Sequence, residues 1–199
     1  MAGGGARRGT GPPHDGRAAR GARTRIAIVE ATIELIESGN TQPSTREVAE
    51  RAGVSVRLLF HHFEDVPLIF RSAAALRSSR SRSLIGMIPP RGPVDLRIRA
   101  ICHQRRELFE AIAPVLLATL ARTSDLHDVL GDLRSLLRQQ LLVSLRPEIL
   151  AHGRSAPVLL ESLDQAAGWQ NWHSLRSEAG RSAGEAEQVM VYTVTVLLR

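Results

Sequence analysis

The stretch Ser44-Thr45-Arg46-Glu47-Val48-Ala49-Glu50-Arg51-Ala52-Gly53-Val54-Ser55-Val56-Arg57-Leu58-Leu59-Phe60-His61-His62-Phe63 decides the fold. Ser44 and Glu47 stand at capping-box spacing, where each side chain serves the other's orphan amide, so a helix opens here. It runs through Val48 and Ala49 to Ala52. Gly53 then breaks it, because glycine takes a positive φ in a tight turn without a Cβ clash. A second short helix covers 55–62. Ala49 is small where the two helices cross, and Leu59 returns an apolar side chain to the core between them, with Val48 and Val54 beside it. This spacing sets two short helices at a steep angle and leaves one face of the second exposed, a helix-turn-helix arrangement. The Ala-x3-Gly-x5-Leu pattern alone fits many helical hairpins, so its flanks carry the specificity.

Upstream, Ile28, Ala31 and Leu35 recur at helical spacing, widened by Val29, Ile33 and Ile36, and predict a helix over 24–38 that ends at Gly39. Downstream, Asp65 caps a fourth helix to about residue 82, with Pro67 tolerated in its first turn. Gly86 and Pro89-Pro90-Arg91-Gly92-Pro93 mark a hinge or loop. Beyond it the patterning predicts helices over 94–111, a short one starting at Pro114, and an amphipathic one over 125–145. The last displays Leu126, Val129, Leu130, Leu133, Leu136, Leu137, Leu141 and Leu142 before Pro147 and Gly153 interrupt it. Two more follow, over 155–178 and 182–198. The final one opens on a second capping box, Ser182 to Glu185, which overrules the strand preference of β-branched Val191 and residues 193–196. The fold class is all-α: a three-helix N-terminal domain with a linking helix over 24–82, then a helical domain over 83–199, about nine helices in all.

Residues 1–23 are rich in Gly, Ala and Arg with almost no large apolar groups, so a disordered basic arm is predicted. It is either a solvated tail or an added contact to phosphates or a groove. All 26 basic residues of the 199 are arginine, and the formal net charge is +6. Residues 1–82 hold 13 arginines against 8 acids, and the remainder 13 against 12, so the positive field lies at the N-terminal end. At 43% hydrophobic and 4% aromatic the chain is aliphatic and globular. A single cysteine, no early apolar segment and no run near 18–20 apolar residues predict a cytoplasmic protein without a membrane partner.

Thr24, Arg25, Ile28, Ala31, Leu35, Gly39, Ser44, Val48-Ala49, Ala52-Gly53-Val54-Ser55, Leu59-Phe60, His62-Phe63 and Leu68 follow one another in an order and spacing that resembles the DNA-binding domain of TetR/AcrR-type transcriptional regulators. The resemblance runs without a gap from 24 to 68. Pro147-Glu148 and the stretch 169–176 are similar to some members' C-terminal domains. It implies a homodimer whose helix at 55–62 enters the major groove and reads two half-sites of a pseudo-palindromic, double-stranded operator. By the same match, Thr24 and Arg25 meet phosphates at the start of the first helix, as do Ser44 and Thr45 at a helix N-terminus. Ser55, Val56, Arg57, Phe60, His61 and His62 belong to the reading helix. Arg57 either pairs with guanine O6 and N7 or contacts a phosphate. The family usually has tyrosine where this chain has Phe60, lysine where it has Val66, and a small residue at Arg57, so its operator is its own. Repression relieved by an unidentified small-molecule effector is the family's usual outcome.

The implied effector pocket lies in the second half, with Phe109, Leu116 and Trp172 as candidate apolar wall. The last two helices are implied to pack against their two-fold mates. Val158, Leu159, Leu160, Leu163, Val189, Val191, Val194 and Leu198 line either that bundle or the chain's own core, and Trp169 and Trp172 serve interface, core or pocket. No phosphate loop, nucleophile elbow or convincing carboxylate pair suggests an enzyme, and no catalytic residue or cofactor is assigned. His61 and His62 point about 100° apart on a helix and make a poor metal pair. Cys102 and His103 lack zinc spacing, and Cys102 reads as a small core residue. The competing reading is an all-helical protein-interaction adaptor, or a DNA-binding protein without an effector.

Overall fold

The computed structural model describes residues 15–123 and 127–199. The described residues form α1 (Asp15–Glu37), α2 (Thr45–Arg51), α3 (Val56–His62), α4 (Val66–Ser81), α5 (Val94–Leu120), α6 (His127–Ser144), α7 (Arg146–Ala151), α8 (Ala156–Ala166), α9 (Trp169–His173) and α10 (Ala183–Leu197), with no strand among them. The all-α expectation holds. Residues 1–14 of the expected arm and Asp125 and Leu126 of the amphipathic helix lie outside the described residues.

The head formed by α1–α3 closes on Ile28, Val48, Ala49, Leu59 and Phe63, all nearly inaccessible. The Ser44–Glu47 box forms in full as the sequence indicates, and Ser55, expected as the first residue of its helix, is instead the N-cap of α3, its Oγ accepting from the Leu58 amide at 3.1 Å. Gly53 takes φ +68° in the turn. Two corrections apply to α1. It starts at Asp15, so residues 15–23 are helical rather than disordered, and Thr24 lies inside the helix rather than at its start. Alanine and arginine are strong helix formers, and a continuous helix needs only one costly nucleus.

The second domain is built around α5, a single 27-residue helix that passes straight through Pro114. A proline inside a helix costs about 3 kcal/mol. Here the turns on both sides bury Phe109, Ile112, Val115, Leu116 and Ala118, and that packing outweighs it. The proline starts no new helix. The loop after α4 is fastened rather than free: the Gly86 amide donates to Gln104 Oε1 at 3.0 Å, the Gly86 carbonyl accepts from Gln140 Nε2 at 2.9 Å, and the Ile88 amide donates to Ser144 Oγ at 3.2 Å. In α10 the β-branched run is helical, and Thr193 and Thr195 donate back to the carbonyls of Val189 and Val191.

The helix predicted over 155–178 is broken. α8 stops at Ala166, and α9 begins after Gly168 and continues as a π-helical turn over Ser174–Glu178. The Ala167 carbonyl at the break accepts from Arg105 at 2.6 Å, and the Ala166 carbonyl from Asn171 Nδ2 at 2.6 Å. A Cβ on Gly168 would stand 2.6 Å from the Asp164 carbonyl oxygen, a backbone atom that cannot swing aside. Gly168→Ala is therefore expected to destabilise the chain by about 1–3 kcal/mol. Urea unfolding of the two proteins measures this, and an unchanged midpoint would rule out the close approach.

Trp169 and Trp172 are buried against Phe109, with ring centroids 5.8 Å and 6.0 Å from it, so both pack in the core, and each also borders a cavity or cleft. Leu159, Leu160, Leu163 and Val194 are core as well, whereas Val158 and Val189 face outward. Cys102 is buried, and desolvation pushes its thiol up to about 12, which suits a packing residue and not a reactive one. No helix among the described residues is long and apolar enough to cross a membrane.

Candidate nucleic-acid interface

Helix α3 directs Leu59 inward, and its 3.6-residue period then fixes the rest. Arg57 and His61, one turn apart, point away from the core, both exposed. Val56 and Phe60 stand on one flank and Leu58 on the other. All three are large apolar side chains exposed to 38–45%. The head thus presents a polar ridge of Arg57 and His61 between apolar shoulders. Leu58 was not among the residues singled out by sequence, although its place opposite Phe60 follows from the same period.

Two expected phosphate contacts are engaged inside the protein. Arg25 donates to the His62 carbonyl and lies over the Phe63 ring at 4.0 Å, tying α1 to the last turn of α3. Thr24 donates to the Arg20 carbonyl at 3.1 Å. His62 is half-buried, with Gly21 of α1 against its ring, so it backs the reading helix rather than joining the ridge. Ser44 is similarly committed: its amide and its hydroxyl both donate to Glu47 Oε2, at 2.8 Å and 2.7 Å. Those bonds hold the Glu47 carboxyl below its ordinary range. Beside them, Thr45 and the exposed Arg46 occupy the first turn of α2. Arg46 was missed in the sequence, where it read as one more residue inside a cap.

The charge of the head has a simple arrangement. Glu30, Glu34 and Glu37 on α1 pair with Arg80, Arg51 and Arg77, so α1 is laced to α4 and α2. Glu47 and Asp65 cap helices. Among the described residues no carboxylate lies within ion-pair distance of Arg17, Arg20, Arg23, Arg46 or Arg57. The internal pairs and caps engage five of the acids, Glu50 and Glu64 stay exposed and unpaired among the described residues, and the arginines around α3 have no ion-pair partner there. No group of three or more His, Cys, Asp or Glu placed to hold a metal occurs among the described residues.

Residues 28–65 match the sequence model of bacterial regulatory proteins of the tetR family. Over those residues the head is similar to tetR-family regulators. The wider fold agrees. A tetR-family transcriptional regulator from Streptomyces coelicolor superposes with a TM-score of 0.64 at 18% identity, over 87% of this chain and 81% of that one. A protein of Pseudomonas aeruginosa PAO1 described as a transcriptional regulator gives 0.58 at 22% identity, over 87% and 89%. A transcriptional regulator from Rhodococcus sp. Rha1 gives 0.55 at 21%, over 89% and 95%. No curated protein matches the chain in sequence. In this TetR-type head Phe60 is exposed at 45% without a hydroxyl to offer.

Behind the TetR-type head, α5, α6, α8 and α9 enclose a narrow cavity. Its apolar wall is Phe109, Leu130, Leu133, Leu137 and Trp169, and its polar lining is Gln165, Gln170 and the pair Arg134 and Asp164, 3.1 Å apart. Of the three expected wall residues, only Phe109 lies here. Leu116 is wholly buried in the core, and Trp172 lines a shallow cleft on the other side of Trp169.

Proposed function

We propose that this protein is a sequence-specific, DNA-binding transcriptional regulator that works as a homodimer on a pseudo-palindromic operator. The observation that carries the reading is the α3 ridge, Arg57 and His61 outward on a head whose Glu30, Glu34 and Glu37 on α1 are paired internally. A ridge of that kind suits a groove edge, and the surrounding unpaired arginines suit phosphates. The outer stripe of α10 supports the dimer: Val189, Tyr192 and Val196 are exposed at 38%, 73% and 47%, while Met190 and Val194 on the opposite side are buried. A helix apolar on both faces needs a second partner.

Repression relieved by a small molecule is the regulatory half of the proposal. The cavity beside Phe109 is too narrow for a drug-sized ligand unless α6 or α8–α9 moves away from α5. That displacement supplies the differential affinity that release of DNA requires. Helix α5 carries it to the head. Thr119 donates to the Phe70 carbonyl of α4 at 3.1 Å, and Arg122 lies 3.8 Å from the Phe70 ring and donates to the Pro43 carbonyl at 3.4 Å, one residue before the cap of α2.

Selection of bound duplexes from a random pool, followed by titration, tests the reading. Arg57→Ala is expected to weaken the selected site by about 1–3 kcal/mol and to relax preference at one base pair per half-site. Uniform weakening on all sequences with a shallower salt slope would make Arg57 a phosphate contact instead. Binding to no duplex would sink the proposal.

A further inference from the structure

Residues 15–23, the first turns of α1, hold three exposed arginines with no ion-pair partner among the described residues. This part of the helix is docked on the end of α3. Gly21 lies beside His62, where an added Cβ would come 3.7 Å from the ring's Cε1, and Arg25 one turn later holds the His62 carbonyl. At about 1.5 Å per residue, Arg20 and Arg17 stand a further ~1.5 and ~6 Å out along the same rod, past its contact with the end of α3. Ile28, Arg25 and Gly21 fix the rotation of α1. Arg17, Arg20 and Thr24, spaced three and four apart, then form an adjoining stripe.

Taken alone, this extension is a poor helix end. Beyond Ala18, Ala19 and Ala22 it has nothing apolar to bury, and it sets Arg17 and Arg20 near the helix start, where the backbone dipole is already positive and Asp15 is the one acid. A row of phosphates alongside relieves the second fault. Arg25, on the face beside the stripe, fastens α1 to the last turn of α3, the turn that also carries His61 of the ridge.

The geometry points to a second nucleic-acid contact: Arg17 and Arg20 grip the sugar-phosphate backbone of the duplex just outside the sequence that α3 reads. The inference rests on the DNA-binding reading above and adds a sequence-independent clamp to it. From Gly21 to the first residue of α1 the rod spans about 9 Å, and the arginine side chains extend its reach, so the contact falls on the first few flanking base pairs.

The test uses the full-length protein and two duplexes with the same selected half-sites, one ending flush and one extended by about ten base pairs on each side. The wild type is expected to bind the extended duplex about tenfold more tightly at low salt, with each added phosphate contact steepening the log–log salt slope by about 0.9. The double variant R17Q/R20Q is expected to lose that gain, to have a slope shallower by about 2 per protomer, and to keep the same ranking of sequences. A charge-matched control, R91Q/R154Q, removes two exposed arginines from the C-terminal half and is expected to keep the gain. A flank gain that survives in R17Q/R20Q overturns the clamp. Equal loss in the control overturns it too, since that is a long-range field and not a contact. An altered sequence ranking does the same by showing a distorted head. Failure of the wild type to bind any duplex removes the DNA-binding reading itself, a separate and distinguishable result.

Discussion

Glu148→Ala is expected to lower the stability of the folded chain by about 3–5 kcal/mol, because it strands a buried cation. The Arg97 side chain is 7% exposed and Glu148 21%. Arg97 Nη1 donates to Glu148 Oε2 at 3.0 Å and to the Ser144 carbonyl at 2.6 Å, and Nη2 completes a bidentate pair with the carboxylate. The pair joins the first turn of α5 to the first turn of α7. The hydrogen-bonded Arg97 guanidinium holds the Glu148 carboxyl below its ordinary 4.5. A carboxylate whose folded value is depressed contributes stability in full above the unfolded value and loses it as pH falls through the folded one. Wild type should therefore lose stability below about pH 4.5, while Glu148→Ala, having already lost the pair, should change less there. Urea unfolding at neutral and acid pH checks both statements. Parallel curves for the two proteins would remove the pair from the account of acid sensitivity.

Arg105→Ala is expected to follow closely, at about 3–4 kcal/mol. Arg105 is wholly buried on α5 and donates to the carbonyls of Leu137 at 2.8 Å and Ala167 at 2.6 Å. Burial pushes the guanidinium down to about 10, with Cys102 and Asp164 pulling the other way, so it remains a cation at neutral pH. Truncation leaves a large void and an unserved carbonyl at the α8–α9 break. Arg105→Met separates these effects: it fills most of the space and removes a charge that is costly to desolvate. It is expected to cost less than about 1.5 kcal/mol. Thermal unfolding of the two variants decides the matter. Equal damage from Met and Ala would mean that the hydrogen bond to Ala167, and not the filled volume, holds the break together.

What the sequence made legible was local chemistry. Ser44 with Glu47, Gly53, Asp65 and Ser182 with Glu185 each satisfy or release backbone groups within a few residues of themselves, and each does so in the structure. The capping box at Ser182 also settled α10 against its β-branched run. What stayed hidden depends on distant partners. The start of α1 looked unstructured because residues 15–23 bury almost nothing themselves; their docking runs through Gly21 and Arg25 to a turn nearly forty positions away. Pro114 looked like a boundary because its local penalty is visible in the sequence and the packing that outweighs it is not. Gly168 was legible as a helix breaker and was passed over between two apolar runs.

At the site the same division holds. The outward order of Arg57, Phe60 and His61 follows from one inward residue, Leu59, and the helical period. The engagement of Arg25 and His62 with each other does not, since it needs the angle between α1 and α3. The cavity was only one-third legible: Phe109 lines it, but its remaining apolar wall comes from α6 and from Trp169 after the unforeseen break.

The position of that aromatic corner has an optical consequence. The chain has two tryptophans and both stand against Phe109, with Trp169 on the cavity wall and stacked over His173 at 5.7 Å. Its indole emission therefore originates at this cavity wall, from Trp169, and one aromatic ring away from it, from Trp172. The protein carries an intrinsic fluorophore at its candidate effector site, and a library of compounds can be screened against it by emission alone, without a label and without knowing the operator.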